Sequence, residues 1–136
     1  AEGGGPPDPA TFTELGLEYV YECIPGGDPS LFLDFRASRR WVKDNSEGLR
    51  VLNTFAYTCG MGIVAAAGGA ARVINTDHGS ACLEVGAANA DLNGLSMEYL
   101  QGDFYPTVRQ LAGLEVKGRA RRRQGKNEFK KIPPQE

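Results

Sequence analysis

The chain has 136 residues, 41% of them apolar and 24% charged, the composition of one ordinary globular domain with a single core. It has no run of about 18 apolar residues, so no membrane-spanning helix is expected, and no basic-then-apolar leader, so nothing directs it to secretion. Three cysteines (Cys23, Cys59, Cys82) without a CxxC pair and a single histidine (His78) exclude a disulfide framework and a zinc site, and imply a reducing, intracellular setting.

The net charge of −2 hides an asymmetry: residues 1–116 carry 7 basic and 15 acidic side chains, whereas residues 117–136 carry 8 basic and 2 acidic. In chain order, residues 1–12 are expected to be a Gly/Pro-rich disordered leader. Residues 13–48 form an extension: a strand over 17–24, a turn at Pro25–Pro29, a short partner strand at Leu31-Phe32-Leu33, and a helix over 38–47 capped by Ser38 and stopped at Gly48. Residues 49–112 then repeat strand, loop and helix three times. The strands fall at 50–54, 72–76 and 97–100, and the helices at 60–67, 80–94 and 104–112. Ala81, Val85, Ala88, Leu92 and Leu95 form an apolar stripe on the second helix, and Val108, Leu111 and Ala112 point inward from the third. Consecutive βα units imply an α/β fold with a parallel, right-handed, doubly wound sheet. Residues 113–136 read as an exposed basic loop.

In open parallel sheets, ligands bind beyond the carboxyl ends of the strands. Three polar loops fall there. In Phe55–Gly62, Gly60 and Gly62 let the backbone approach a ligand and the following helix offers free N–H groups. The loop lacks strict GxGxxG and the Lys-Ser/Thr of a P-loop, so a phosphate cradle is not expected; a tight turn packed with small residues is the plainer alternative. Asp77 follows Gly60 by 17 positions, near the spacing at which an acid holds a ribose diol; capping of the next helix is its alternative. Asp103 can accept from the exocyclic amine of an adenine, or cap the helix at Phe104. Two carboxylates at adjacent strand ends favour a neutral or cationic adenosine ligand over a pyrophosphate. Cys59 beside His78 invites a nucleophile reading, but no third partner is evident and a buried thiol is the blander choice. Lys117, Arg119, Arg121, Arg122, Arg123, Lys126, Lys130 and Lys131 either contact phosphates or form a solvated loop, with Phe129 the only aromatic among them.

These residues resemble the class I S-adenosylmethionine-dependent methyltransferases, and more narrowly the ribosomal-RNA cytosine carbon-5 methyltransferase-like family. The matching segments are LFLDFRASRRWV (31–42), VLNTFAYTCGMG (51–62), VINTD (73–77), LNGL (92–95) and QGDF (101–104). The resemblance implies S-adenosylmethionine as cofactor and RNA as substrate. It places Phe55, Ala56, Tyr57, Thr58, Gly60 and Gly62 around the methionine part. Asp77 would hold the ribose hydroxyls with His78 beside the adenine, and Asp103 the adenine amine with Phe104 nearby. Asn53 stands where related enzymes often have an acid, and Asp34 and Arg36 match a motif ahead of the first strand.

In that family a fourth strand ends in Asp-Pro-Pro, where the acceptor base is handled. This chain has no such motif, so it is read as a Rossmann-like methyltransferase sheet cut after the third βα unit and preceded by a hairpin, inactive by itself. The competing expectations are a non-catalytic assembly partner keeping the half-fold, and a nicotinamide-dependent oxidoreductase fragment. The expected location is the cytoplasm or an organelle such as a plastid, with neither a membrane nor a metal as partner.

Overall fold

The computed structural model describes residues 10–21 and 30–116. Residues 1–9 of the expected leader, the turn at Pro25–Pro29 and the basic segment 117–136 lie outside the described residues.

The first feature is an antiparallel hairpin of β1 (Thr11–Glu14) and β2 (Leu17–Val20), with Thr11 opposite Val20 and Glu14 opposite Leu17. Its two-residue turn, Leu15-Gly16, has both residues left-handed, φ 54° and 77°. That is the combination whose twist matches paired strands. The hairpin therefore differs from the expectation. The partner of Leu17–Val20 precedes it, within and just after the supposed leader, and Leu31–Leu33 is no strand. Instead a 3-10 turn, Leu33–Phe35, leads into α1 (Arg36–Asp44). Ser38 sits inside that helix, and Phe35 precedes it without a side-chain cap. The chain takes this turn because Arg39, 2% exposed, reaches back from α1. Its Nη1 donates to the Phe32 carbonyl at 2.7 Å, and its Nε and Nη2 donate to Glu14 at 2.6 and 2.8 Å.

Three βα units follow: β3 (Arg50–Thr54) and α2 (Gly60–Ala67), β4 (Arg72–Asp77) and α3 (Ser80–Leu92), β5 (Glu98–Gln101) and α4 (Phe104–Leu111). The strands are parallel in the order β3-β4-β5, with Asn53 beside Asn75 and Asp77 beside Gln101. This matches the expected α/β half-sheet. Helices α2 and α3 pack on one another and against the strands, and α4 also packs on β4. Asn75 meets α2 on one face of β4, while Ile74 and Leu52 line a groove of about 370 Å³ with Val108 and Leu111 of α4 on the other. Pairing only with β4, β3 forms an edge of the described sheet, and Leu52 is 45% exposed there.

The core joins both parts: Leu17, Tyr19 and Leu31 of the extension pack with Ile63, Val64 and Ala90 of the βα units. Leu17, Leu31, Ile63 and Val64 each contribute about 1.5–3 kcal/mol by leaving water. The buried face of α3 is not the predicted stripe. Val85 is buried, but Ala81, Ala88 and Leu92 face outward, and Leu83, Gly86, Asn89 and Ala90 face inward. The cause is β2, whose free edge needs hydrogen-bond partners. Asn89 Oδ1 accepts from the Val20 N–H at 2.7 Å, and Asn93 Oδ1 accepts from the Glu18 N–H at 2.9 Å. Asn93 Nδ2 returns a bond to the Glu18 carbonyl at 2.7 Å. Two side-chain amides thus replace a neighbouring strand, and an unpaired buried N–H would cost more than the apolar area forgone. On α4 the buried residues are Thr107 and Leu111, while Ala112 is exposed.

Three weak acids, Tyr19 and Cys59 buried and Tyr99 half-buried, set an alkaline limit. Burial pushes the Tyr19 hydroxyl, which has no hydrogen-bond partner, up from 10.0 to about 12, with Glu14 adding to the effect. Burial, then the Asp77 charge, pushes the Cys59 thiol from 9.0 to about 12. Tyr99 rises from 10.0 to about 12, again chiefly through burial. The unfolded chain ionises these groups first, so the stability they lend is intact below pH 9 and drains away between pH 9 and 12. Urea midpoints are expected to agree at pH 7 and 8 and to fall at pH 10 and 10.5. A midpoint unchanged at pH 10.5 would contradict the burial of these groups.

Candidate functional site

The carboxyl ends of β3, β4 and β5 meet at two cavities that share Phe55. The smaller, about 180 Å³, is lined by Phe55, Thr76, Asp77, His78, Gly102, Asp103 and Phe104. The larger, about 410 Å³, lies between the loop after β3 and the segment Leu31–Phe35, with Arg39, Asn53 and Gly60 in its wall.

The loop Phe55–Cys59 forms the partition. Phe55, Tyr57 and Cys59 all adopt left-handed backbone, with φ 54°, 49° and 63°. Non-glycine residues pay roughly 1–3 kcal/mol each for such conformations, and these cluster at ligand sites where surrounding bonds enforce them. Those bonds are present. The Ala56 N–H donates to the Thr76 carbonyl at 3.0 Å, the Cys59 N–H to the Ala56 carbonyl at 2.7 Å, and the Tyr57 N–H to Asp77 Oδ2 at 2.9 Å. The Thr58 hydroxyl donates to the Ser30 carbonyl, and Asn89 Nδ2 reaches the Thr58 carbonyl at 3.4 Å. The Phe55 ring stacks on Phe104, centroids 4.8 Å apart at 22°, and Tyr57 lies 5.1 Å from Phe32.

Asp77 therefore has a role that sequence reasoning missed: it clamps this loop. Its other oxygen accepts from the Gly79 N–H at 2.9 Å, with His78 Nδ1 3.3 Å away. A carboxylate offers about four lone-pair sites, so acceptor capacity remains toward the cavity. Asp103 occupies the residue before α4 but makes no side-chain cap bond, leaving its carboxylate to the cavity. His78, its side chain 84% exposed, stands at the rim. Phe55, Ala56, Tyr57, Thr58 and Gly60 line the larger cavity. Gly62 lines neither cavity. A Cβ there would lie 2.1 Å from Asn75 Oδ1, so its need for glycine comes from helix–strand packing.

Thr76 was also unforeseen. Its hydroxyl is buried at the floor of the smaller cavity without a hydrogen-bond partner, a costly state that a ligand's polar atom relieves. Nothing in a threonine inside a strand signals this. Cys59 is fully buried with a raised pKa, which suits a packed thiol and not a nucleophile. Taken together, two acids, an orphan hydroxyl and stacked rings suit a neutral or cationic heterocycle bearing hydroxyl and amine donors. Among the described residues no group of three His, Cys, Asp or Glu side chains is placed to hold a metal. No described helix is long and apolar enough to cross a membrane.

Comparison with known proteins shows the family. The sequence profile of the S-adenosylmethionine-dependent methyltransferase family matches residues 3–111. The ribosomal RNA large subunit methyltransferase I of Aeromonas salmonicida is 33% identical over 111 residues, and that of Erwinia tasmaniensis 36% over 111. Each match covers 79% of this chain and 28% of the relative, so the chain spans under a third of their length. Among solved structures, SMU.776, described as a methyltransferase and crystallised with SAH, superposes with a TM-score of 0.70 at 25% identity, covering 80% of this chain and 30% of that one. A SAM-dependent methyltransferase of Agrobacterium tumefaciens, 23% identical, shares the fold at a TM-score of 0.68, covering 79% and 37%.

Proposed function

This chain belongs to the S-adenosylmethionine-dependent methyltransferases, and on that premise we propose that its half-sheet is the cofactor-holding part of an enzyme that methylates RNA, with a ribosomal-RNA cytosine as acceptor. The observation that carries the reading is the pair Asp77 and Asp103 at adjacent strand ends, facing one cavity with the Phe55–Phe104 stack. Asp77 has lone pairs for two ribose hydroxyls. Asp103, uncommitted to its helix, accepts from the adenine amine, and His78 borders the ring. Phe55, Ala56, Tyr57, Thr58 and Gly60 surround the methionine part in the larger cavity.

When bound, S-adenosylmethionine supplies an electrophilic methyl group on a sulfonium. The residues here bind and orient it, and the two carboxylates suit its net positive character better than a dinucleotide's phosphates. The RNA acceptor is supported by the names of the similar ribosomal-RNA enzymes. Those relatives are bacterial, which supports a setting inside the cell and offers nothing toward a plastid. Turnover is not expected of this chain alone, because its sequence lacks the Asp-Pro-Pro motif to which the resemblance assigns acceptor handling.

Calorimetric titration with S-adenosylhomocysteine is expected to give one site that NADH does not compete for. Radiolabelled methyl transfer to ribosomal RNA by the same sample is expected to stay at background. A folded chain that binds NADH in preference refutes the cofactor reading, and turnover refutes the division of labour.

A further inference from the structure

Asn75 is fully buried in the middle of β4 and lines neither cavity. An amide in such a place is costly unless both of its ends are bonded. Its partners fix which way it points. Asn75 Nδ2 donates to the Glu98 carbonyl at 3.3 Å and lies 3.5 Å from Met97 Sδ. A carbonyl only accepts, so the nitrogen end faces β5 and the oxygen end faces β3. There Asn53, its register partner on β3, donates through Nδ2 to Asn75 Oδ1 at 2.9 Å. The constraint passes one residue further. With Nδ2 turned to Asn75, the end of Asn53 left over is Oδ1, to which no described residue donates. Asn53 is half-buried in the wall of the larger cavity. No acidic side chain lines that cavity among the described residues, and Arg39 there is committed to Glu14 and the Phe32 carbonyl.

We propose that Asn75 is a positioning residue that holds Asn53 with Oδ1 toward the larger cavity, where it accepts a hydrogen bond from the ammonium of the ligand's methionine part. The inference rests on the cofactor reading above. An amide free to turn would present its NH2 group as readily and suit a carboxylate; pinned by Asn75, it selects a donor. The pair also accounts for an amide where related enzymes often have an acid. An aspartate at position 53 would set an oxygen against Asn75 Oδ1. Asn75 could relieve that only by turning its own oxygen onto the Glu98 carbonyl.

Calorimetry on the 136-residue chain compares S-adenosylhomocysteine with its des-amino analogue, in which hydrogen replaces the amino group. The unaltered chain is expected to prefer S-adenosylhomocysteine by roughly 10- to 100-fold, the range for a hydrogen bond to a charged group. Asn53→Ala should remove most of that preference and Asn75→Ala should reduce it, each with little change in affinity for the analogue. A residue that serves packing alone would weaken both ligands alike. Circular dichroism checks that Asn75→Ala folds, since it removes a buried amide. Nitrogen-15 spectra of the unaltered chain test the pinning without any variant: the Asn53 side-chain NH2 should be protected from exchange and should lie beside Asn75. Fast exchange of that NH2, no preference in the unaltered chain, or a full preference kept in either folded variant overturns the inference. A chain that binds neither ligand strikes instead the cofactor reading on which the inference rests.

Discussion

Replacing Arg39 by alanine is expected to destabilise the protein by about 3–5 kcal/mol, the cost of stranding one member of a buried ion pair. The side chain is 2% exposed and Glu14 8%. Arg39 satisfies both Glu14 oxygens and the Phe32 carbonyl, and Arg36 Nε, 3.9 Å from Glu14, is too far to replace it. Glu14 ends β1 and Phe32 precedes the 3-10 turn, so one guanidinium fastens hairpin, turn and helix together. A domain of this size has roughly 5–15 kcal/mol in all, so the variant should lose a large share of its stability and unfold at a markedly lower urea concentration. Arg39→Lys keeps the charge but loses the two-pronged geometry and should fall between. The double change Glu14→Leu with Arg39→Met should cost less than either single truncation, because no charge is left buried. Urea unfolding followed by circular dichroism measures all of these. A loss below about 1 kcal/mol in Arg39→Ala, the range of an exposed pair, would contradict the buried geometry.

Asp77→Ala should produce the largest loss of cofactor affinity. Removing a carboxylate that receives ligand hydroxyls costs about 1.5–3 kcal/mol, or 10- to 100-fold. The same change releases the Tyr57 and Gly79 N–H groups and frees a loop with three left-handed residues. The affinity loss should therefore reach at least the upper end of that range, and the fold should lose about 1.5–3 kcal/mol as well. Asp103→Ala supplies the contrast. Its carboxylate makes no cap bond, so affinity should fall about 10-fold with the melting temperature unchanged. Calorimetry and thermal melts on the two variants separate a binding carboxylate from one that binds and clamps. Equal stability losses in both would contradict the assignment.

What the sequence made legible follows from local punctuation. The βα units are framed by Gly60, Gly68-Gly69, Gly79 and Gly94, and β3 and α2 fall where period and breakers put them. Asp77 and Asp103 were legible as a pair because open parallel sheets place ligands at strand ends. The hairpin was hidden by its turn. Leu15-Gly16 adopts the geometry that Asn-Gly usually announces, and a leucine there gives no signal. The segment at 31–33 looked like a strand through its apolar triplet, whereas Arg39 and Glu14, distant in sequence, dictate a turn. On α3, a stripe drawn through the apolar residues alone leaves out Asn89, which is turned inward because it and Asn93 complete β2. Asp77's grip on Tyr57 was invisible for the same reason: it joins loops that only the fold brings together.

The central claim is that Asp77 and Asp103 hold adenosine in the cavity between β4 and β5. Nitrogen-15 spectra of the labelled chain titrated with S-adenosylhomocysteine test it residue by residue. The account predicts saturable shifts at the amides of Tyr57, Gly79, Gly102 and Asp103, with Val85, buried on α3 away from the cavity, unmoved. Saturable binding that leaves those four amides in place, or moves residues elsewhere, would contradict it.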